Sequence, residues 1–283
     1  MKTIKIAGVP EHFNYPWQLA IENKAFEKQN LNLVWSNIPE GTGKLCEMLR
    51  NETTDIAVIL TEGIIKDIGL GNPSKIVQKY IETPLVWGIH ADYNSKFKAI
   101  FDLKSKKVAI SRFGSGSHLM ALVNAKNQGW DVENLDCEIV NTIDGAVESL
   151  SKSESDYFMW EKFMTKPLVD KNIFRRIGEC PTPWPSFVIA VREKFLKENK
   201  SDIKKMLRII NIITSNFRKL PNIENKLATE FNQKPNDIKE WLSITNWSQK
   251  NFSEAEINKI QSQLLEFKII NKKTTFASLV KVL

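Results

Sequence analysis

Apolar and polar positions alternate from the start of the chain: in KTIKIA, Ile4 and Ile6 fall on one face of an extended segment, the period-two signature of a half-buried strand. The same pattern, rich in β-branched residues, predicts strands at residues 3–7, 31–38 (LNLVWSNI), 55–59 (DIAVI), 76–89 with Pro84 interrupting, and 107–110. Between them, apolar positions recur at helical spacing and predict helices at 16–29, 42–51 and 62–69. This is an α/β rhythm. It continues through a helix at 117–128 stopped by Gly129, a strand at 137–141, a helix at 144–152 and a short strand at 156–159. After Phe187-Val188-Ile189 the pattern changes to helices alone, at 193–218, 222–231, 236–243 and 254–267. The last opens on Ser253-x-x-Glu256, a capping box in which each side chain satisfies an orphan backbone donor.

Composition narrows the class. A chain of 283 residues can be one large domain or two smaller ones, and 42% hydrophobic with 26% charged residues describes a folded protein. The net charge of +7 is spread along the chain, and its densest clusters, KSKK at 104–107 and NKK at 271–273, are short. No nucleic-acid partner is expected on that footprint; a small anionic ligand, or solubility, accounts for the sign. Three cysteines, Cys46, Cys137 and Cys180, are odd in number and lack CxxC spacing, which argues against a disulfide framework and for a reducing compartment. The N-terminus enters a strand pattern without an apolar leader and no apolar run approaches 18 residues. A cytoplasmic location is expected, or a periplasmic or lipoprotein one if a leader was trimmed.

Candidate chemistry lies where strands end. In ISRFGSGSHLMALV (110–123) a strand runs into Ser111, Arg112, Ser115, Gly116, Ser117 and His118 before a helix. Glycines let backbone N–H groups point outward and the helix N-terminus adds positive partial charge, so the loop suits an anion, with Arg112 as a bidentate fork; a plain helix-capping loop is the alternative. The third glycine of a dinucleotide fingerprint is missing. IPEGTGKLCEML (38–49) has similar design around Thr42 but is not a phosphate-binding P-loop, and Leu60-Thr61-Glu62-Gly63 is a third such loop. GVPEHFNYPW (8–17) crowds Glu11, His12, Phe13 and Asn14 between prolines. The three histidines lack paired metal-ligand spacing, so neither metal nor cofactor is predicted. His12, beside Glu11, reads as a ligand hydrogen-bonder or a general base. Trp160 in FMWEKF and Trp184 in ECPTPWPSF are either pocket walls or core.

In this order the pieces resemble the type 2 periplasmic-binding-protein-like superfamily, in the branch that binds nitrate, sulfonates, taurine and thiamine-pyrimidine precursors. The carriers are GVPEHFNYPW, G-T-G-K-L with D-I-A at 55–57, SRFGSGSH, and D-Y-F-M-W-E, covering about residues 1–190. A signal-less subgroup has an opening similar to GVPEHFN. The resemblance implies an α/β, two-lobed type 2 periplasmic-binding-protein-like fold with two hinge crossovers, near 88–92 and 178–186, and extra C-terminal helices packed outside. Lobe 1 would be 1–90, lobe 2 91–180, with 181–283 returning to lobe 1. It implies a small anionic or heteroaromatic ligand closed in the interlobe cleft by His12, Phe13, Asn14, Thr42, Thr61, Ser111, Arg112, Ser115, Gly116, Ser117, His118, Trp160 and Trp184, without catalytic residues. Phe13 and Trp184 would sandwich a ring or exclude water. A transport permease is the family's usual partner. The rival reading is a cytosolic enzyme on this fold acting on a thiamine-pyrimidine or menaquinone precursor, with Glu11 or His12 moving the proton. A regulator's effector-sensing half fits the fold but would need a DNA-binding segment.

Overall fold

The computed structural model describes residues 2–283. In chain order the elements are β1 (Lys2–Gly8), α1 (Tyr15–Glu22), β2 (Leu31–Asn37), α2 (Thr42–Arg50), β3 (Ile56–Leu60), α3 (Thr61–Gly69) and β4 (Ser74–Ile81). There follow β5 (Val86–Asp92), β6 (Val108–Ile110), α4 (Gly116–Asn127), β7 (Cys137–Ile139), α5 (Ile143–Ser151), β8 (Tyr157–Glu161), α6 (Lys166–Asp170) and β9 (Phe174–Pro181). The chain ends in β10 (Phe187–Arg192), α7 (Glu193–Glu198), α8 (Lys200–Asn216), α9 (Ile223–Glu230), α10 (Pro235–Ile244), α11 (Glu254–Glu266) and α12 (Phe276–Leu279).

Two units share these elements. Unit 1 runs up to Thr83 and resumes from Trp184 to Leu283, while unit 2 is the continuous stretch Pro84–Pro183. Unit 1 is built on a five-stranded sheet of order β2-β1-β3-β10-β4, unit 2 on one of order β7-β6-β8-β5-β9. In the first, β1 pairs parallel with β2 and β3, and β10 runs antiparallel between β3 and β4. The second repeats the plan, with β6 parallel to β7 and β8, and β5 antiparallel between β8 and β9. Strands buried on both faces, such as IAVIL of β3 and FVIAVR of β10, read as continuous apolar runs for that reason. Unit 2 packs Ala146 and Leu150 of α5 against Ala109, Phe158 and Phe174 of its sheet. Among the described residues no helix is long and apolar enough to cross a membrane.

Four departures from the sequence pattern have physical causes. The single strand expected at 76–89 is two, β4 and β5, in different sheets; Pro84 lies between them and has no N–H to donate. In unit 1 the Ser186 hydroxyl and N–H both donate to the Thr83 carbonyl, at 2.9 and 3.2 Å. In unit 2 the Thr182 N–H donates to the Leu85 carbonyl while its hydroxyl accepts the Leu85 N–H, both at 2.9 Å. The helix expected at 193–218 breaks at Asn199, whose side-chain amide donates to the Phe195 carbonyl at 2.9 Å and competes with the helical ladder. The helix expected at 16–29 stops at Glu22, because Lys24 turns to φ 54° and Asn30 to φ 60°. Strand β9 was hidden by Arg175, Arg176 and Glu179; the Arg175 guanidinium is absorbed by the Ser95 and Phe97 carbonyls at 2.9 and 3.3 Å.

Candidate functional site

In unit 2 the loop after β6 is held together by its own hydroxyls. The Ser111 N–H donates to the Ser117 Oγ at 2.9 Å, and that oxygen lies 3.1 Å from Ser111 Oγ and 3.0 Å from Ser115 Oγ. Ser115 caps α4 by accepting the His118 N–H at 3.3 Å. Gly114 supplies the turn at φ 77°, and its N–H donates to His118 Nδ1 at 3.1 Å, which leaves the ring proton on Nε2. The serines, all buried, are therefore spent on building the loop. Other groups of the loop are left without partners. Arg112 is exposed, its guanidinium with no ion pair or hydrogen bond among the described residues, and the N–H groups of Gly116 and Ser117 open α4 without an acceptor. Of the unit 2 residues predicted for the site, Arg112 brings a guanidinium without a partner and Gly116 and Ser117 bring amides without an acceptor, while the hydroxyls of Ser111, Ser115 and Ser117 and the N–H and Nδ1 of His118 are used in building the loop.

Trp160 stands at the end of β8. Its indole stacks on Phe158 at 5.4 Å and meets Trp87 edge-on at 6.1 Å, so one side belongs to the core cluster while the residue remains partly exposed.

In unit 1 the loops after β1, β2 and β3 leave the same edge of a parallel set, as the sequence order implied. Their contents differ from expectation. His12 and Asn14 are fully buried and Phe13 nearly so. Asn14 Nδ2 donates to the Val9 carbonyl at 2.9 Å, and the Phe13 carbonyl accepts from Tyr80 Oη at 2.8 Å and Trp247 Nε1 at 3.3 Å. His12 is wrapped by Phe13, Phe231 and Trp241, the last at 4.5 Å between centroids, and its Nε2 lies 3.2 Å from Gln233 Nε2. The C-terminal helices consequently do more than pack outside: Trp241 of α10 and Phe231 after α9 enclose the first loop. Phe13 packs on Phe187 at 5.1 Å and Trp241 at 5.3 Å. Phe13 and Trp184, the two rings expected to sandwich a ligand, are both buried.

Trp184, 2% exposed, donates its Nε1–H to Glu62 Oε2 at 2.8 Å. Thr61 gives its N–H and hydroxyl to the Ser186 carbonyl at 3.0 and 3.3 Å. Thr42, half-buried at the start of α2, presses its Cγ2 onto Gly63, where an added Cβ would come within 2.2 Å. Ahead of it Gly41 turns at φ 76°, and the Thr42 and Gly43 amides find no acceptor among the described residues.

Burial sets the electrostatics of this edge. It pushes the Glu62 carboxyl up to about 7 against the opposing pull of the Trp184 N–H, and Glu11 likewise to about 7. It pushes the His12 imidazole down to about 3, so the ring is neutral and a poor proton acceptor near pH 7. Glu62 is the residue that sequence reasoning passed over; its signal was a lone acid directly after an apolar strand. Gln233 and Trp241 carried none, since their distance from residue 12 in sequence hides their contact with it. No cluster of three or more His, Cys, Asp or Glu side chains among the described residues is arranged to hold a metal ion.

Residues 87–180 match the family model described as Ca3427-like PBP. The Candida albicans CA3427 gene product, described as defining a family with the generic periplasmic binding protein fold, superposes with a TM-score of 0.90 at 25% identity, over 99% of this chain and 96% of that one. This chain is a type 2 periplasmic-binding-fold protein. Two further proteins of that fold extend the likeness. The alkanesulfonate-binding protein SsuA of Xanthomonas axonopodis pv. citri, in a structure bound to MOPS, gives a TM-score of 0.83 at 14% identity over 99% of this chain and 98% of its own. The aliphatic sulphonate binding protein SsuA of Escherichia coli gives 0.77 at 16% identity over 99% and 92%. No curated protein matches this periplasmic-binding-fold sequence.

Proposed function

We propose that the protein binds a small anionic solute at the loop from Ser111 to His118 in unit 2. The observation that carries this reading is the free Arg112 guanidinium beside the two unfilled amides that open α4. A guanidinium supplies two parallel donors and a helix N-terminus supplies oriented N–H dipoles, a combination suited to carboxylate, sulfonate or phosphate. Fold likeness to sulfonate-binding proteins supports the same ligand class.

Calorimetric titration of the purified protein with cyclohexanesulfonate tests the reading. Saturable binding is expected, weakened about tenfold or more by Arg112→Ala, the range for losing a charged hydrogen-bonding partner. Absence of heat in the wild type, or an unchanged affinity in the variant, would remove it. An enzyme using His12 as base has less support, because that ring is sealed by aromatics and neutral well into the acid range.

A further inference from the structure

We infer that Phe113 is a platform for an aromatic ring, and that the ligand of the Arg112 loop joins a planar ring to its anionic group. The inference rests on the anion-binding reading above and adds a ligand class to it.

Phe113 is 64% exposed. A single exposed apolar side chain calls for no explanation, and Leu70, Phe101 and Ile212 are as exposed elsewhere in the chain. Phe113 differs from them in how it is held and in what stands beside it. It follows Arg112 and precedes Gly114 at the tip of the loop. The His118 ring meets it edge-to-face, with centroids 5.3 Å apart and planes at 83°. His118 is itself fixed, through the Gly114 N–H on its Nδ1. The chain thus braces an aromatic ring in an outward position next to an unpaired cation and two unfilled amides. An ordinary loop would gain from turning that ring inward, since burying a Phe-sized side chain is worth about 1.5–3 kcal/mol.

The chemistry of such a pair selects a particular partner. The guanidinium and the amides recognise negative charge, whereas the phenyl face recognises a ring by offset stacking and excludes water around the charge contacts. An alkyl anion would satisfy only the first half. Phe13, packed on Phe187, and Trp184, hydrogen-bonded to Glu62, are both buried and present no open ring face.

Benzenesulfonate and cyclohexanesulfonate, equal in charge and close in size, separate the two contributions. Titrated into the full-length protein, benzenesulfonate is expected to bind about three- to tenfold tighter, the range of one aromatic pair. Phe113→Leu should abolish that preference, bringing the ratio of the two affinities to within about twofold of one, and Phe113→Trp should keep or enlarge it. Because residue 113 is exposed, these variants keep the core intact, and a matching thermal unfolding midpoint checks this. Equal affinities in the wild type, or a preference that survives Phe113→Leu, would overturn the platform and leave the anion site standing. If neither sulfonate binds the wild type, the anion reading and the platform fail together.

Discussion

Glu62 and His12 show how far a residue's type can be from its role. The sequence offered His12 as ligand-binder or base; its imidazole instead fills an aromatic enclosure completed by a helix more than two hundred positions away, a contact that no local pattern can announce. Glu62 was legible only as a helix-opening acid, yet it sits 4% exposed under the Trp184 indole. Its carboxyl, raised from 4.5 to about 7, holds a proton in the folded state that the unfolded chain releases. The contribution to stability is therefore full below pH 4.5 and is lost as pH rises through 7. Glu62→Gln keeps an acceptor for Trp184 and has no such loss. The stability of this variant relative to wild type should climb by on the order of 3 kcal/mol between pH 4.5 and 7 and level off above. Urea unfolding across that range measures it; a difference constant with pH would show that the carboxyl is hydrated.

At the scale of elements, the parallel strands and the helices after them were readable, because apolar periodicity and glycine or serine punctuation survive in a single sequence. The two passages between units were not, since Pro84 looked like an interruption within one strand. The N-termini of α2 and α3 illustrate a packing detail that composition cannot express. Thr42 Cγ2 occupies the space a side chain at position 63 would need. Gly63→Ala should destabilise the protein by about 1–3 kcal/mol, as overpacking does in a filled core. Thr42→Ser deletes that methyl and should restore most of the loss in the double variant, read from chemical denaturation. A double variant as unstable as the single would place the strain elsewhere.

Across the whole molecule, each unit seals one neutral histidine in its interior, His12 in unit 1 and His90 in unit 2, both pushed down to about 3 by burial. A base with a lowered folded pKa contributes stability above its unfolded value of 6.5 and loses it as pH falls toward 3. Proton NMR of the native protein should show both imidazoles at neutral-ring shifts from pH 8 down to 5, with acid eroding both units. A midpoint near 6.5 for either ring would contradict its enclosure. The α/β order was legible because strand rhythm persists along the chain, while the presence of two units and the discontinuity of unit 1 came only with the family resemblance.

That discontinuity orders events during synthesis. The strands of unit 2, β5 to β9, are all available once Pro181 has been made. Unit 1 has β1 to β4 much earlier but lacks β10, the strand that joins β3 to β4, until Arg192 emerges. On the ribosome the inserted unit can therefore complete its sheet first, and the half that begins the chain must wait for its own centre to be translated.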